Sequence, residues 1–203
     1  MASPRSHAAT TALILLSILA GCAGGRQEPT QPSPRPASRY PSTEADARFM
    51  SAMIGHHRQA LVMAGLAPTH GASPSVRRLA ERIKSGQQDE IATMQRWLRD
   101  RGRPVPESHH AGRGHPMPGM LTEAQMKDLE EARGPEFDRL FLTFMIQHHR
   151  GAVAMVKELF GTPGAGQDDA VFKFASDANV DQTTEIARMQ RMLSALPAGE
   201  PSS

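Results

Sequence analysis

From residue 44 onward, apolar residues recur three and four apart, the spacing of helices with one buried face. Over 44–66, Phe49, Met53, His56, Ala60, Met63 and Ala64 share a broad face, with Met50 and His57 along its other edge. Ser42 or Thr43 can cap this helix, Glu44 and Asp46 suit the positive end of its dipole, and Pro68 lies just past its end. A second helix is predicted over about 75–100, opened by Pro74 and Ser75 and ended by Gly102 and Pro104. Its apolar face holds Val76, Leu79, Ile83, Met94, Trp97 and Leu98. After the Gly/Pro/His connection RPVPESHHAGRGHPMPGM (103–120), Thr122 can cap a short helix to about Ala132, which Gly134-Pro135 breaks. Two further helices are predicted at about 136–159 and 168–194. No stretch alternates with period two, so no sheet is expected.

The pattern is duplicated. FMSAMIGHHRQALVMA (49–64) returns as FLTFMIQHHRGAVAMV (141–156), 92 residues later, with Phe, Met, Ile, His, His, Arg, Ala and Met in the same frame. QQDEIATMQRWL (87–98) returns as QTTEIARMQRML (182–193), and Asp46 has its counterpart in Asp138. Two matching αα-hairpins build an all-α fold, a four-helix bundle with a short extra helix in the crossover. The first repeat spans 44–100, the connection 101–135 and the second repeat 136–194. The connection is long enough for either an up-down or a crossed arrangement.

Composition changes the picture mainly at the N-terminus. MASPRSHAATTALILLSILAGC has a short basic start, an apolar run from Ala12 to Ala20 and small residues before Cys22, the single cysteine of 203 residues. The run is too short to span a bilayer and reads as an export signal over 1–21. Leu19-Ala20-Gly21-Cys22 resembles a bacterial lipobox, which would make Cys22 an acylated N-terminus anchored in a membrane. Residues 22–43 are rich in proline and poor in large apolar residues, a composition suited to a tether, and 195–203 read as a disordered tail. One cysteine excludes a disulfide framework and a cysteine zinc finger. The net charge of +2 falls to about +1 once Arg5 is removed with the signal. Scattered Lys and Arg with no basic stripe predict no nucleic-acid partner.

The duplicated residues include metal-binding types. Glu90 shares the apolar face of the second helix, and Glu185 that of the fourth; a buried carboxylate needs a partner, a hydrogen bond or a metal. Each His-His pair, His56/His57 and His148/His149, spans two edges of a buried face. Met53 and Met145 stand one turn before the pairs, Met63 and Met155 about two turns after, and Met94 and Met189 one turn beyond the glutamates. Thioether and imidazole suit copper, the cuprous state especially, while zinc or iron remain open as cofactors. Each Glu could instead orient a histidine, and the methionines could be core filler. His109, His110, His115, Met117 and Met120 in the connection form a second candidate set. Arg58 and Arg150 point away from the predicted core.

The motif D-x2-F-x3-M-I-x-H-H-x2-A-x2-M at Asp46–Met63 and Asp138–Met155 resembles the bacterial family known as domain of unknown function 305. MPGMLTEAQMKDLEEARGPEFDRLFLTFMIQHHRGAV, between and across the second copy, strengthens the resemblance, which covers about 44–194. It implies a ferritin-like bundle, usually exported, with a copper-binding periplasmic branch. It also implies site roles for Met53, His56, His57, Met63, Met145, His148, His149 and Met155. The Glu-x-x-His of ferritin-type di-iron sites is absent at Glu90 and Glu185, so ferroxidase activity does not follow. The leading expectation is an envelope-exposed, membrane-tethered protein that sequesters or transfers copper. The alternatives are a metal-dependent redox enzyme using the same core, and an interaction module with a metal-free His/Glu core.

Overall fold

The structure is a computed structural model that describes residues 41–107 and 117–197. Among these residues it contains five helices and no strands: α1 Glu44–Leu66, α2 Pro74–Asp100, α3 Glu123–Glu131, α4 Gly134–Gly161 and α5 Asp169–Ser194. The all-α expectation holds, with boundaries within two residues of the predicted ones. One local reading is corrected. Gly134-Pro135 does not separate two helices but opens α4, with Gly134 at φ 59° and Pro135 in the first turn, where its missing N–H goes unneeded.

Thr43 caps α1 through a capping box with Asp46, and Ser73, Thr122 and Asp168 accept first-turn N–H bonds of α2, α3 and α5. The repeated aspartates also tie the hairpins together. Asp46 Oδ1 accepts from the Gly166 N–H (2.7 Å) in the α4–α5 turn, and Asp138 accepts from the Ser73 N–H (3.1 Å) in the α1–α2 turn. Both aspartates are buried, so each reciprocal clasp replaces hydration that the carboxylate has lost.

The core settles the topology. One apolar cluster joins the first half of α1 and the second half of α2 to the second half of α4 and the first half of α5. The other cluster joins the complementary halves. Therefore α1 and α2 are antiparallel, α4 and α5 are antiparallel, and α1 runs opposite to α4. The order is up-down-down-up, and the connection from Arg101 to Arg133 travels the length of the bundle. A pseudo-twofold axis relates the hairpins.

The connection docks firmly where it passes α1 and α4. Arg58 donates to the carbonyls of Pro106 (2.9 Å) and Glu107 (3.0 Å), while Gln59 exchanges two bonds with the Leu121 backbone. Gly119, at φ 75°, lies against Gly151 of α4. A Cβ on Gly151 would stand 1.9 Å from the Pro118 carbonyl oxygen, so only glycine permits this approach.

Candidate metal centre

Between the two apolar clusters each of the four long helices contributes a polar pair: His56 and His57 from α1, Gln87 and Glu90 from α2, His148 and His149 from α4, Gln182 and Glu185 from α5. The four histidines have no exposed surface and the two glutamines are 3 % exposed. The sequence pattern places both glutamates on the buried face of their helices. Their side chains are instead 22 % and 19 % exposed, because each sits at the flank of its helix's buried stripe.

The pairing is duplicated. His57 Nε2 lies 2.5 Å from Glu90 Oε2, and His149 Nε2 lies 2.7 Å from Glu185 Oε2. Arg82 approaches the second glutamate at 3.6 Å. The inner histidines do otherwise: His56 donates from Nε2 to the Pro118 carbonyl (3.1 Å), and His148 donates from Nε2 to the His56 carbonyl (3.0 Å). A carbonyl only accepts, so Nε2 carries the proton in both rings. Burial, and then the neighbouring histidines, hold both imidazoles well below their usual pKa, His56 at about 3. Both are neutral at physiological pH, and each Nδ1 is a bare lone pair.

The Nδ1 atoms of all four histidines are buried without a hydrogen-bond partner among the described residues. The other such side-chain atoms among the described residues are both amide atoms of Gln87 and Oε1 of Gln182. All seven lie in this one layer. At roughly 1–3 kcal/mol for each unsatisfied buried group, seven of them would cost on the order of 10 kcal/mol, comparable to the stability of a whole domain. Six of the seven are acceptors whose lone pairs a cation could occupy, while the Gln87 amide N–H group needs an acceptor.

A metal fits this chemistry. Ligating histidines almost always donate their other ring N–H to a carboxylate or a backbone carbonyl, fixing the tautomer and direction of the free nitrogen. All four histidines are held in that way, two by carboxylates and two by carbonyls. Among the described residues, however, no three His, Cys, Asp or Glu side chains converge on one point that could hold an ion. Further donors would have to come from other residue types.

The six candidate methionines of the helices divide into two trios. Met53, Met94 and Met155 lie in the cluster on one side of the polar layer, and Met63, Met145 and Met189 in the cluster on the other. All six are buried core side chains, so the packing role is real whatever else they do. Met155 also lines a groove of about 790 Å³ between the start of α1, the connection and the end of α4, together with Met117, Phe49, Arg48 and Arg58. Met120 is half-buried. His109, His110, His115 and Cys22 lie outside the described residues. Arg150 is exposed as expected, whereas Arg58 holds the connection instead of pairing with an acid.

Gln87 and Gln182 were missed by sequence reasoning, as was the Pro118 carbonyl. The glutamines had a signal: each opens the repeated QxxEIAxMQRxL block and falls nearer the middle of its helix's buried stripe than the glutamate does. The carbonyl had none, since its contact with His56 spans 62 residues.

Comparison with curated proteins gives no match. Solved structures do match. A DUF305 fragment from Deinococcus radiodurans is 32 % identical with a TM-score of 0.66, covering 77 % of this chain and 99 % of its own. A DUF305 protein of Streptomyces coelicolor, described as secreted, is 32 % identical with a TM-score of 0.65, covering 78 % of this chain and 96 % of its own. CopM in its Cu(II)-bound form is 30 % identical with a TM-score of 0.61, covering 73 % of this chain and 95 % of its own. CopM is also solved in Cu(I)-bound and Ag-bound forms. The family model described as "Domain of unknown function (DUF305)" matches residues 46–193, the entire duplicated bundle, and the chain belongs to that family.

Proposed function

We propose that this protein is exported, tethered to a membrane through acylated Cys22 and the 22–43 segment, and binds copper in the polar layer for sequestration or transfer. The observation that carries the reading is the state of the four histidines. Each has its Nε2 engaged and its Nδ1 buried without a partner, the arrangement of imidazoles prepared as ligands. The methionine trios on either side supply thioethers, which favour a soft monovalent ion over iron or manganese. Similarity to CopM, solved with copper and with silver, supports the same choice. No helix among the described residues is long and apolar enough to cross a membrane, so attachment would rest on the lipid.

In the loaded state the free Nδ1 atoms of His56, His57, His148 and His149 would be the nitrogen donors, no more than two of them to one ion as the rings stand, with donors of other residue types completing the set. Glu90 and Glu185 would hold the outer imidazoles and balance the ion's charge. A bound copper ion would supply no more than its own coordination and redox chemistry; no residue arrangement here assigns it a substrate. Titration of the full chain with Cu(I), Ag(I) and Zn(II) against competing chelators tests the reading. Stoichiometric Cu(I) and Ag(I) uptake, lost in His57→Ala/His149→Ala while helicity persists, is expected. Wild-type affinity that these substitutions leave unchanged would overturn it and favour a purely structural His/Glu network.

A further inference from the structure

The polar layer holds two side chains that the histidine–glutamate pairs do not use. Gln87 and Gln182 occupy equivalent places in the two repeats, both more than nine-tenths buried, both facing inward among apolar residues of their own helices. Neither Gln87 amide atom has a hydrogen-bond partner among the described residues, and neither does Oε1 of Gln182. A buried carboxamide in that condition costs stability, and methionine would fill the same volume without the cost. The same omission at the same place in both halves points to a ligand.

We infer that Gln87 and Gln182 belong to the ion site and set which oxidation state it accepts, their carboxamide oxygens offering a divalent borderline ion the oxygen donors that the histidines and methionines lack. This rests on the metal-binding reading above. Two observations lead to it. Among the described residues the histidines and acids alone bring no three donors to a point, so there an ion needing four or more ligands would draw on other residue types. Among the described residues of the layer, the buried polar side chains besides the histidines are these two glutamines, whose oxygens have no hydrogen-bond donor there. A monovalent soft ion is satisfied by few ligands, imidazole and thioether, and does not need them. Cu(II) prefers a tetragonal set of nitrogen and oxygen and does.

The experiment compares wild type with Gln87→Leu/Gln182→Leu in the full chain, which removes the carboxamides without adding a thioether donor. Cu(II) and Ag(I) affinities are measured by competition, the Cu(II) paramagnetic resonance spectrum recorded, and apo thermal stability followed. Expected are a loss of about tenfold or more in Cu(II) affinity, a changed Cu(II) spectrum, Ag(I) affinity within about twofold, and a more stable apo protein. Unchanged Cu(II) affinity and spectrum alongside raised apo stability would overturn the inference, leaving the glutamines as buried polar groups and the metal-binding reading intact. A wild type that binds neither ion would remove both. Should the double variant lose helicity, Gln87→Glu replaces it: an added carboxylate must tighten Cu(II) relative to Ag(I), and an unaltered ratio counts against the proposal.

Discussion

His56 and His148, equivalent residues of the two repeats, lie ring against ring, with centroids 3.8 Å apart and 37° between planes. Each gives its Nε2 proton to a main-chain carbonyl, and each is held neutral by burial. Two imidazolium ions at that separation in a dry interior would repel strongly. The two halves of the bundle therefore meet at a contact that tolerates no proton.

Acid should loosen that contact. Both folded pKa values are lowered relative to the unfolded chain, so the unfolded state binds more protons and stability falls as pH falls from about 6.5 towards the folded value of about 3 for His56. The expected slope is about 1.4 kcal/mol per pH unit for each histidine still neutral in the folded state. Asp168 adds its loss only at lower pH, since bonds from Trp97, Arg101 and the Val171 N–H outweigh its burial and hold it ionised below its usual range. Urea unfolding of the apo protein from pH 7 to pH 4 measures the slope. A flat profile would contradict the neutral pair.

Glu90→Gln and Glu185→Gln keep an oxygen for the histidine N–H but remove the charge behind it. Metal affinity should fall by about 10–100-fold in either variant, and equally in both, because the pairs are equivalent. Circular dichroism should report an unchanged bundle. A much larger effect at one site would mean that the two halves do not share the ion.

The thioethers are tested by Met53→Leu with Met145→Leu, a swap that nearly conserves volume in two fully buried positions. Cu(I) binding should weaken while Zn(II) binding holds, since zinc gains little from thioether. An unchanged Cu(I)/Zn(II) affinity ratio would reduce these methionines to packing.

Much of this was legible in the sequence because the duplication doubles every signal. The four long helices, the histidine pairs and Glu90 with Glu185 follow from periodicity read twice. What escaped reading is non-local. The course of the connection depends on Gly119 meeting Gly151 and on Pro118 accepting from His56, contacts that no local pattern records. Gly134-Pro135 was ambiguous because both residues are tolerated at a helix start as well as at a break. Gln87 and Gln182 hid in plain view, since glutamine is common on helix surfaces and only the stripe around it marks it as buried.

Gly151→Ala probes the docked connection. The new methyl group meets the Pro118 carbonyl and Gly119 backbone at distances that force movement, costing about 1–3 kcal/mol. Displacing Pro118 also removes the acceptor of His56, so metal affinity should change along with stability. Chemical denaturation with parallel metal titration checks both. Full wild-type stability would show that the backbone there yields easily.

Cys22→Ser should abolish acylation and move the protein from the membrane fraction to the soluble fraction, with the mature mass altered to match. Unchanged fractionation and mass would remove the lipid anchor.

A duplicated bundle invites two equal doors, but one chain has one crossover. Pro118–Leu121 shutters the α1–α4 side of the polar layer, while on the α2–α5 side its two glutamates reach solvent, each about one-fifth exposed. If the layer binds an ion as proposed, that ion would meet carboxylate oxygen before imidazole nitrogen on this side and leave in the reverse order, and a partner collecting it would approach the face between α2 and α5.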